Sequence, residues 1–557
     1  MLLNFPLTTL AERVEKSDLL TRRDWAEARL TGRFARRVPA EVQARITDSG
    51  AKADLYIANY NVWAHHVLDH DGTRPFPSGK KLISHWNLRD ELKAQYANGD
   101  AGLRAQRALV AVMERIVTQT IPAAVIDDPR VDWNPYTNAV AVAPTGEVEP
   151  PPADAPAGGP KPLPAALDAR EPDARYAQLL AQFKAWSAAD AYDAGHQTVI
   201  TRSFEVSREL SEARVTAVLE EVLTSPLVKD VAAIIEARLG RKLEPQDLWY
   251  DGFKPRSHIS EAALDKKTKA RWPTPAAFEK DLSHILEKIG FAKDKAKWLA
   301  DHIKVDPARG AGHALQAARR GDFPRLRTRV GPDGMDYKGF NIAVHELGHN
   351  VEQTFSLYAV DHTLLAGVPN TAFTEALAFV FQARDLDVLG ITQKADPKSD
   401  ADRVLNDFWS CWEIAGVALV DVAVWHWLYD HPNATPSELR AAVVDKAREL
   451  WTKYYAPVLG GIDEHGVATP LLGIYSHMIA YPLYLCDYPL GHLIAFQIEE
   501  HMAAALKQGK TLGAEFERMT RLGNVAPDVW MRAATGAPVS AKALLDATAR
   551  AVTTLKP

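Results

Sequence analysis

The chain has 557 residues, with 65 lysine and arginine against 71 aspartate and glutamate residues, and a formal net charge of −6. Because it is slightly acidic and has no basic cluster, it lacks the positive surface that nucleic-acid binding requires, and we expect no nucleic-acid partner. A composition of 47% hydrophobic and 24% charged residues is typical of a globular protein, and this length can bury a large core. Two cysteines, Cys411 and Cys486, exclude a disulfide framework.

The N-terminal residues lack the basic segment and the long apolar run of a signal peptide. Localisation stays open between the cytoplasm, if this N-terminus is native, and the periplasm or the exterior, if a leader was removed. The most membrane-like stretch, 414–429, contains Asp421 and His426 and is too short and too polar to span a bilayer. We therefore expect it to be a buried helix, and we expect no membrane partner.

Apolar residues recur at helical spacing along most of the chain, which predicts a mainly α-helical fold. The clearest predicted helices, in chain order, are 10–37, 101–118, 175–188, 205–239 and 436–455. The last has Thr435 as a candidate N-cap and Pro436 at its first position.

A proline-rich segment interrupts this helical pattern, with eight prolines among the 21 residues of 144–164. Proline at this density favours a semi-rigid connector over a helix or strand. We predict an N-terminal helical region over 1–143, a connector over 144–172 and a second helical region over 173–557. A long surface loop within one domain is the alternative.

One segment has the alternating pattern of β-strands. Residues 325–330 alternate, a Gly-Pro-Asp-Gly turn follows, and the alternation resumes at Met335, so we predict a β-hairpin. Its second strand, 335–340, ends five residues before the motif described next. We expect this strand to bind an extended ligand backbone as an added edge, through residues that include Lys338 and Gly339.

His345, Glu346 and His349 form the motif His-Glu-x-x-His. Histidines at positions i and i+4 lie on one face of a helix, about 6 Å apart at Cβ, so both rings reach one metal ion. Glu346 is then placed to take a proton from water at the ion's open position. A helix with two partly exposed histidines is the alternative.

A catalytic zinc site needs a third protein ligand and leaves its fourth position to water. Phe355 stands where the longer motif HExxHxxGxxH has its third histidine, and both cysteines lie downstream, unlike the upstream cysteine of a deformylase-like site. Pro369 and Asn370 can begin a helix in which Glu375 lies one turn in, among apolar neighbours. A carboxylate there needs a partner such as zinc; an ordinary salt bridge is the alternative.

These residues resemble the gluzincin metallopeptidases, most of all the thimet oligopeptidase and oligopeptidase F group, with angiotensin-converting enzyme as a more distant relative. The matching residues are the His345 to His349 motif, Glu375 after 25 intervening residues, and the segments 243–250 and 477–488. The resemblance is patchy between about residues 240 and 500 and is weak or absent over the first 140.

The resemblance implies a large, two-lobed helical metallopeptidase with a deep substrate channel, and the hairpin predicted from the alternating pattern would lie beside the zinc-binding helix. It implies one Zn²⁺ per chain, held by His345, His349 and Glu375. The implied activity is hydrolysis of peptide bonds in short peptides, with water activated by zinc and Glu346. Whether cleavage is endo-, dipeptidyl- or carboxypeptidase-like, and which oligomer forms, stays open.

In these families a downstream histidine and a tyrosine about ten residues later stabilise the tetrahedral intermediate, and His477 and Tyr488 occupy the corresponding positions. Tyr481 and Tyr484 lie between them, and we expect both to contact substrate. The four residues also form a helical stripe, for which a place in the core is the alternative. Two prolines in this region argue against one continuous helix and favour Tyr488 at a helix start.

The sequence departs from related sites at Phe379, where these enzymes often have an acidic residue that orients a zinc histidine. That role must be filled elsewhere in this chain. Two other functions stay open: a catalytically inactive binding or scaffold protein of the same fold, and a zinc hydrolase of non-peptide amides.

Overall fold

The structure is a computed structural model that describes residues 8–150, 162–253, 260–308, 312–391 and 396–556. The described chain is mainly α-helical, as predicted, and its strands form three small sheets.

The first half of the chain confirms two predicted helices and divides two others. The α-helices are α1 (Leu10–Glu15), α2 (Arg22–Gly32), α3 (Ala40–Asn59), α4 (Ser84–Ala94), α5 (Gly99–Thr118), α6 (Ala174–Ser187), α7 (Val199–Thr201), α8 (Glu212–Leu223) and α9 (Leu227–Leu239). The predictions over 101–118 and 175–188 are confirmed as α5 and α6. Thr21 begins α2 with its own capping box, and Pro226, which lacks an N–H, separates α8 from α9.

The second half of the chain contains the longest helices. They are α10 (Glu261–Arg271), α11 (Pro275–Ile289), α12 (Lys293–Asp301), α13 (Tyr337–Tyr358), α14 (Thr371–Gln382), α15 (Asp385–Val388), α16 (Pro397–Asp430), α17 (Pro436–Leu450), α18 (Ala456–Leu459), α19 (His477–Ala480), α20 (Asp487–Lys507), α21 (Leu512–Thr520), α22 (Pro527–Thr535) and α23 (Lys542–Leu555). As predicted, Thr435 caps α17, in a capping box with Glu438.

The stretch predicted to be a buried helix lies in α16. Among the described residues α16 is the one helix long and apolar enough to cross a membrane, and 83% of its most apolar window is buried inside the protein. Asp421 within it is fully buried. The prediction of a buried helix is therefore confirmed.

The strands are short and pair in three groups. They are β1 (Asn61–Trp63), β2 (Lys81–Ile83), β3 (Val131–Trp133), β4 (Val140–Val142), β5 (Lys304–Pro307), β6 (His313–Leu315) and β7 (Arg325–Thr328). β1 pairs with β2 and β3 with β4, both antiparallel. In the third sheet β7 is central, parallel to β5 and antiparallel to β6, with Leu326 opposite both Val305 and Ala314.

The predicted β-hairpin is wrong in its second strand. Its first strand is present as β7, but the chain from Tyr337 onward is helix α13. Asp336 caps that helix, because its side chain accepts a hydrogen bond from the Gly339 N–H at 2.7 Å. Four alternating residues do not distinguish a strand from an N-cap followed by a helix. The β structure packed beside α13 is the sheet formed by β5, β6 and β7.

Buried apolar side chains from both sides of the proline-rich segment belong to one continuous core. α3 packs against α6, and α5 packs against residues 471–474. Part of the segment, 151–161, lies outside the described residues. The division into regions at 144–172 therefore stays a prediction.

Candidate metal centre

Helices α13 and α14 bring three potential metal ligands together. His345 and His349 lie on one face of α13, and Glu375 lies on α14. The Nε2 atom of His345 is 3.3 Å from Oε2 of Glu375, and that of His349 is 3.6 Å from Oε1. One ligand atom from each residue lies within 4.8 Å of the others, so the cluster could hold a single metal ion.

The close approach of these helices depends on Gly348. A Cβ atom at this position would lie 2.8 Å from Cα of Ala378 and 3.2 Å from the side chain of Phe381. A larger residue would therefore push α14 away from α13. The glycine inside the motif thus allows Glu375 to reach the two histidines.

His345 is oriented by a relay of amide side chains. Its Nδ1 atom lies 3.1 Å from Oε1 of Gln382, whose Nε2 donates to Asn341 Oδ1 at 2.7 Å. Asn341 in turn donates to Asp385 Oδ2 at 2.7 Å. Phe379 packs edge-on against the His345 ring, with centroids 5.2 Å apart. Gln382 therefore orients His345, the role that related sites often give to an acidic residue at the position of Phe379. The Nε2 atom of His345 is left facing Glu375.

His349 is oriented by the residue that precedes the third ligand. Its Nδ1 atom lies 3.0 Å from Oγ1 of Thr374, which donates to Glu352 Oε2 at 3.2 Å. Ser356 donates to the other oxygen of Glu352 at 2.6 Å. Burial raises the pKa of Glu352 and lowers the pKa of His349 to about 4. His349 is therefore a neutral imidazole at pH 7, the form that binds metal.

Glu346 lies against the edge strand β6. Its carboxylate lies beside the backbone of Ala314, and burial raises its pKa. A Cβ atom at Gly312, directly before β6, would lie 3.3 Å from Cγ of Glu346 and 2.7 Å from Ile342. The strand beside the glutamate is therefore β6, rather than the strand predicted over 335–340.

Lys338 and Gly339 lie in the first turn of α13. Lys338 is exposed, and the Gly339 N–H is used in capping the helix. His345 follows almost two turns later, about 10 Å along the helix axis. We expected these two residues to bind substrate because they were predicted to lie in a strand, and that strand does not form. A role in substrate binding stays a prediction.

His477 and Tyr488 form a hydrogen-bonded pair, with Tyr488 OH 3.0 Å from His477 Nε2. As the prolines predicted, the chain is broken between them: Leu483 has a φ of 56°, and Tyr488 is the second residue of α20. Burial, with a contribution from Arg89, lowers the pKa of His477 to about 4. Burial raises the pKa of Tyr488, and the charge of Glu375 raises it further, so the phenol lies within electrostatic range of the cluster.

The other two tyrosines differ in their surroundings. Tyr484 is half-buried and stacks on the His477 ring, with centroids 5.9 Å apart and planes at 20°. Tyr481 is 46% exposed and donates to Asp54 Oδ1 at 3.0 Å. Both tyrosines therefore lie beside the His477 ring, with the Tyr481 centroid 5.6 Å from it, but Tyr481 is the more exposed of the two. No observation tests substrate contact at either residue.

Sequence reasoning missed Gln382 and Thr374, whereas it had noted Gly348 as a residue that keeps the helix surface thin beside the ion. A signal for Gln382 was present in the sequence, because it follows Glu375 by two helical turns and so lies on the same face of α14. Thr374 directly precedes Glu375 in the chain.

The comparisons with known proteins come from structure alone, since no protein-family model and no curated protein matches the chain. PZ peptidase A has a TM-score of 0.57 and is 12% identical, with 97% of this chain and 81% of that chain covered. A candidate oligoendopeptidase F has a TM-score of 0.56 at 12% identity, with coverage of 98% and 81%. A candidate peptidase from Chlamydophila abortus has a TM-score of 0.55 at 10% identity, with coverage of 98% and 79%. The expected resemblance is therefore confirmed at the level of the fold: this chain has the mainly α-helical fold of the oligoendopeptidase F group of peptidases.

Proposed function

We propose that this protein is a zinc-dependent peptidase that hydrolyses peptide bonds in short peptides. The observation that carries the proposal is the convergence of His345, His349 and Glu375 within 4.8 Å, in a fold shared with peptidases. Two imidazoles and a carboxylate are the protein ligands of catalytic zinc sites that keep one position open. The hydrogen bonds at both Nδ1 atoms support this fit, because they direct the Nε2 atoms toward Glu375.

When bound, zinc supplies Lewis-acid polarisation and lowers the pKa of a coordinated water. Glu346 accepts the proton of the attacking water and later passes it to the leaving amine. Its place beside the first histidine and against the backbone of Ala314 positions the carboxylate for this role. The edge position of β6 places backbone groups next to the same carboxylate.

His477 and Tyr488 stabilise the oxyanion that forms during attack. Their 3.0 Å contact holds the phenol and the imidazole together, and both are uncharged at pH 7. Each hydrogen-bond donor of this kind contributes about 3 kcal/mol to transition-state stabilisation. The limitation to short peptides rests on the resemblance to oligopeptidases.

Two alternatives remain for the test to separate. A zinc hydrolase of non-peptide amides would use the same ligands and the same base. A catalytically inactive protein of this fold is disfavoured, because all three ligands and Glu346 are retained.

The test combines metal analysis with substrate profiling. The purified protein, loaded with zinc, is incubated with a mixed peptide library and with non-peptide amides, and the products are identified by mass spectrometry. We expect one zinc per chain and cleavage of peptides. Zinc-loaded protein that cleaves only the non-peptide amides, or nothing, would contradict the proposal.

The variant Glu346→Gln sharpens this test. The amide cannot accept the proton, so we expect turnover to fall by about 10²–10⁴-fold while zinc content is unchanged. Glu221→Gln, an exposed position on α8, is the matched control and should retain full activity. Full turnover by a zinc-loaded Glu346→Gln protein would rule out this residue as the base.

A further inference from the structure

A cavity of about 340 Å³, open to solvent, lies at the N-terminal end of α14. Thr371 from the first turn of α14 and Tyr484 from the segment before α20 line it. Residues four apart on a helix lie on one face, about 6 Å apart at Cβ, so Thr371 places this cavity one turn from Glu375. Burial and the charges of Asp487 and Glu375 raise the pKa of Tyr484. The cavity therefore adjoins the candidate metal cluster.

The charged side chains that line this cavity are mostly arginines. They are Arg36, Arg202 and Arg208, with Asp487 as the one carboxylate of the lining. Arg208 pairs with Asp487, Nε to Oδ1, at 2.6 Å, and Arg202 pairs with Asp190 at 2.5 Å. Both of these arginines are buried, and their charges are balanced inside the protein.

Arg36 is the exception. It is exposed at the cavity and has no carboxylate partner in the part of the chain that the structure describes. Arg33 and Arg37 flank it, and both are exposed and equally without a carboxylate partner there. Although the chain has a net charge of −6, the cavity beside the candidate metal cluster thus has one lining cation, Arg36, without a balancing carboxylate among the described residues. Arg202 and Arg208 each have a carboxylate partner, so Arg36 is the one lining arginine whose charge no described carboxylate balances.

Hydroxyl groups complete the lining. Those of Ser207, Thr371 and Tyr484 border the cavity, and none has a hydrogen-bond partner among the described residues. Because burial raises the pKa of Tyr484, its phenol stays protonated and can donate. An arginine with nearby hydroxyl donors forms charge-assisted hydrogen bonds with a carboxylate.

We propose that this basic cavity binds a carboxylate of the peptide substrate, and so makes the protein selective for anionic peptides. The carboxylate is the C-terminal group of the peptide or an acidic side chain near the scissile bond, and it serves as the counter-ion of Arg36. The inference rests on the proposed function, since the cavity adjoins the cluster at which peptides would be cleaved. A volume of about 340 Å³ is at the lower end of the range of ligand sites and admits one or two residues.

The test uses four peptides of one sequence that differ only in their carboxylates. The C-terminus is free or amidated, and one side chain is Asp or Asn. Cleavage is measured with the zinc-loaded wild-type protein, and binding is measured with zinc-loaded Glu346→Gln. We expect about tenfold higher kcat/KM and tighter binding for peptides that carry the recognised carboxylate. Whichever substitution removes the preference identifies its source.

Arg36→Gln is expected to reduce that preference about fivefold, through KM and through binding. Arg33→Gln is the matched control, because it removes the same charge from the same segment at a side chain that does not line the cavity, and it should keep the preference. Equal losses in both variants would indicate general attraction to the surface and would overturn the cavity site.

The two proposals fail in distinguishable ways. Equal cleavage and equal binding of all four peptides would overturn the anion site and leave the peptidase proposal intact. Preferential binding of carboxylate peptides that Arg36→Gln abolishes, with no peptide cleaved by the wild-type protein, would support the site and overturn the peptidase proposal.

Discussion

Within the described ranges, two pairs of neighbouring histidines contact carboxylates, and the two pairs are built differently. His345 and His349 are one helical turn apart on α13, and both Nε2 atoms face the same carboxylate, Glu375. His65 and His66 are adjacent in the chain, with ring planes 85° apart. In this second pair each ring contacts a carboxylate of its own.

The carboxylates that contact the second pair of histidines are engaged in separate ion pairs. His66 Nδ1 lies 2.8 Å from Asp132 Oδ1, and Arg74 binds the other oxygen of Asp132 at 2.6 Å. His65 Nε2 lies 2.8 Å from Glu147 Oε2. Within the described residues, the group of histidines and carboxylates that could share one ion is the one on α13 and α14. Convergence on a common point, rather than the presence of histidines and acids, distinguishes a candidate metal centre from a set of ion pairs.

The largest effect should come from removing the shared carboxylate. We expect Glu375→Ala to weaken zinc binding on the order of 10³-fold, and peptide cleavage to be lost with it, because two imidazoles alone hold the ion poorly. Glu147→Ala is the matched change at the second pair and should leave zinc binding unchanged. Zinc affinity is measured by competition with a chelator. Equal zinc affinity in wild type and Glu375→Ala would place the third ligand elsewhere.

A second prediction concerns Tyr488, whose hydroxyl contacts His477 Nε2 and whose pKa is raised by burial and by the charge of Glu375. Tyr488→Phe removes one hydroxyl and little volume, so kcat should fall by about 10²–10³-fold with KM and zinc content nearly unchanged. His477→Ala should act in the same direction, and the double variant should lose less than the product of the two single losses. Kinetics and the melting temperature are measured on each variant.

If the stripe of His477, Tyr481, Tyr484 and Tyr488 is only part of the core, the same variant should behave differently. If Tyr488 only packs, its loss should cost about 1 kcal/mol of stability through the broken hydrogen bond, with kcat intact. An unchanged kcat in Tyr488→Phe would therefore remove this residue from the proposed site.

The smallest effect tests the orientation of the first histidine. Gln382→Leu removes the acceptor at His345 Nδ1 and should weaken zinc binding about 10–100-fold, with a smaller change in melting temperature. Gln382→Glu keeps an acceptor at this position and should restore most of the affinity. If leucine and glutamate give the same zinc affinity, Gln382 has a packing role alone.

Local sequence determined the parts of this protein that depend on short-range interactions. The helical spacing of His345, Glu346 and His349 places them on one helix, and the structure has that helix. Asn370 caps α14 as its position predicted, accepting a hydrogen bond from the Ala372 N–H, so Glu375 lies in the second turn. Capping, proline and i to i+4 relations act within a few residues, and the sequence displays them directly.

Tertiary structure alone decided which distant residues meet. β7 pairs with β5 and β6 rather than with 335–340, because the Asp336 cap commits the chain to α13. Gln382 reaches His345 only because Gly348 lets the two helices pack closely. Arg36 meets the N-terminal end of α14 across more than 300 residues of chain. Such contacts depend on the packing of whole elements, which no local pattern of residues encodes.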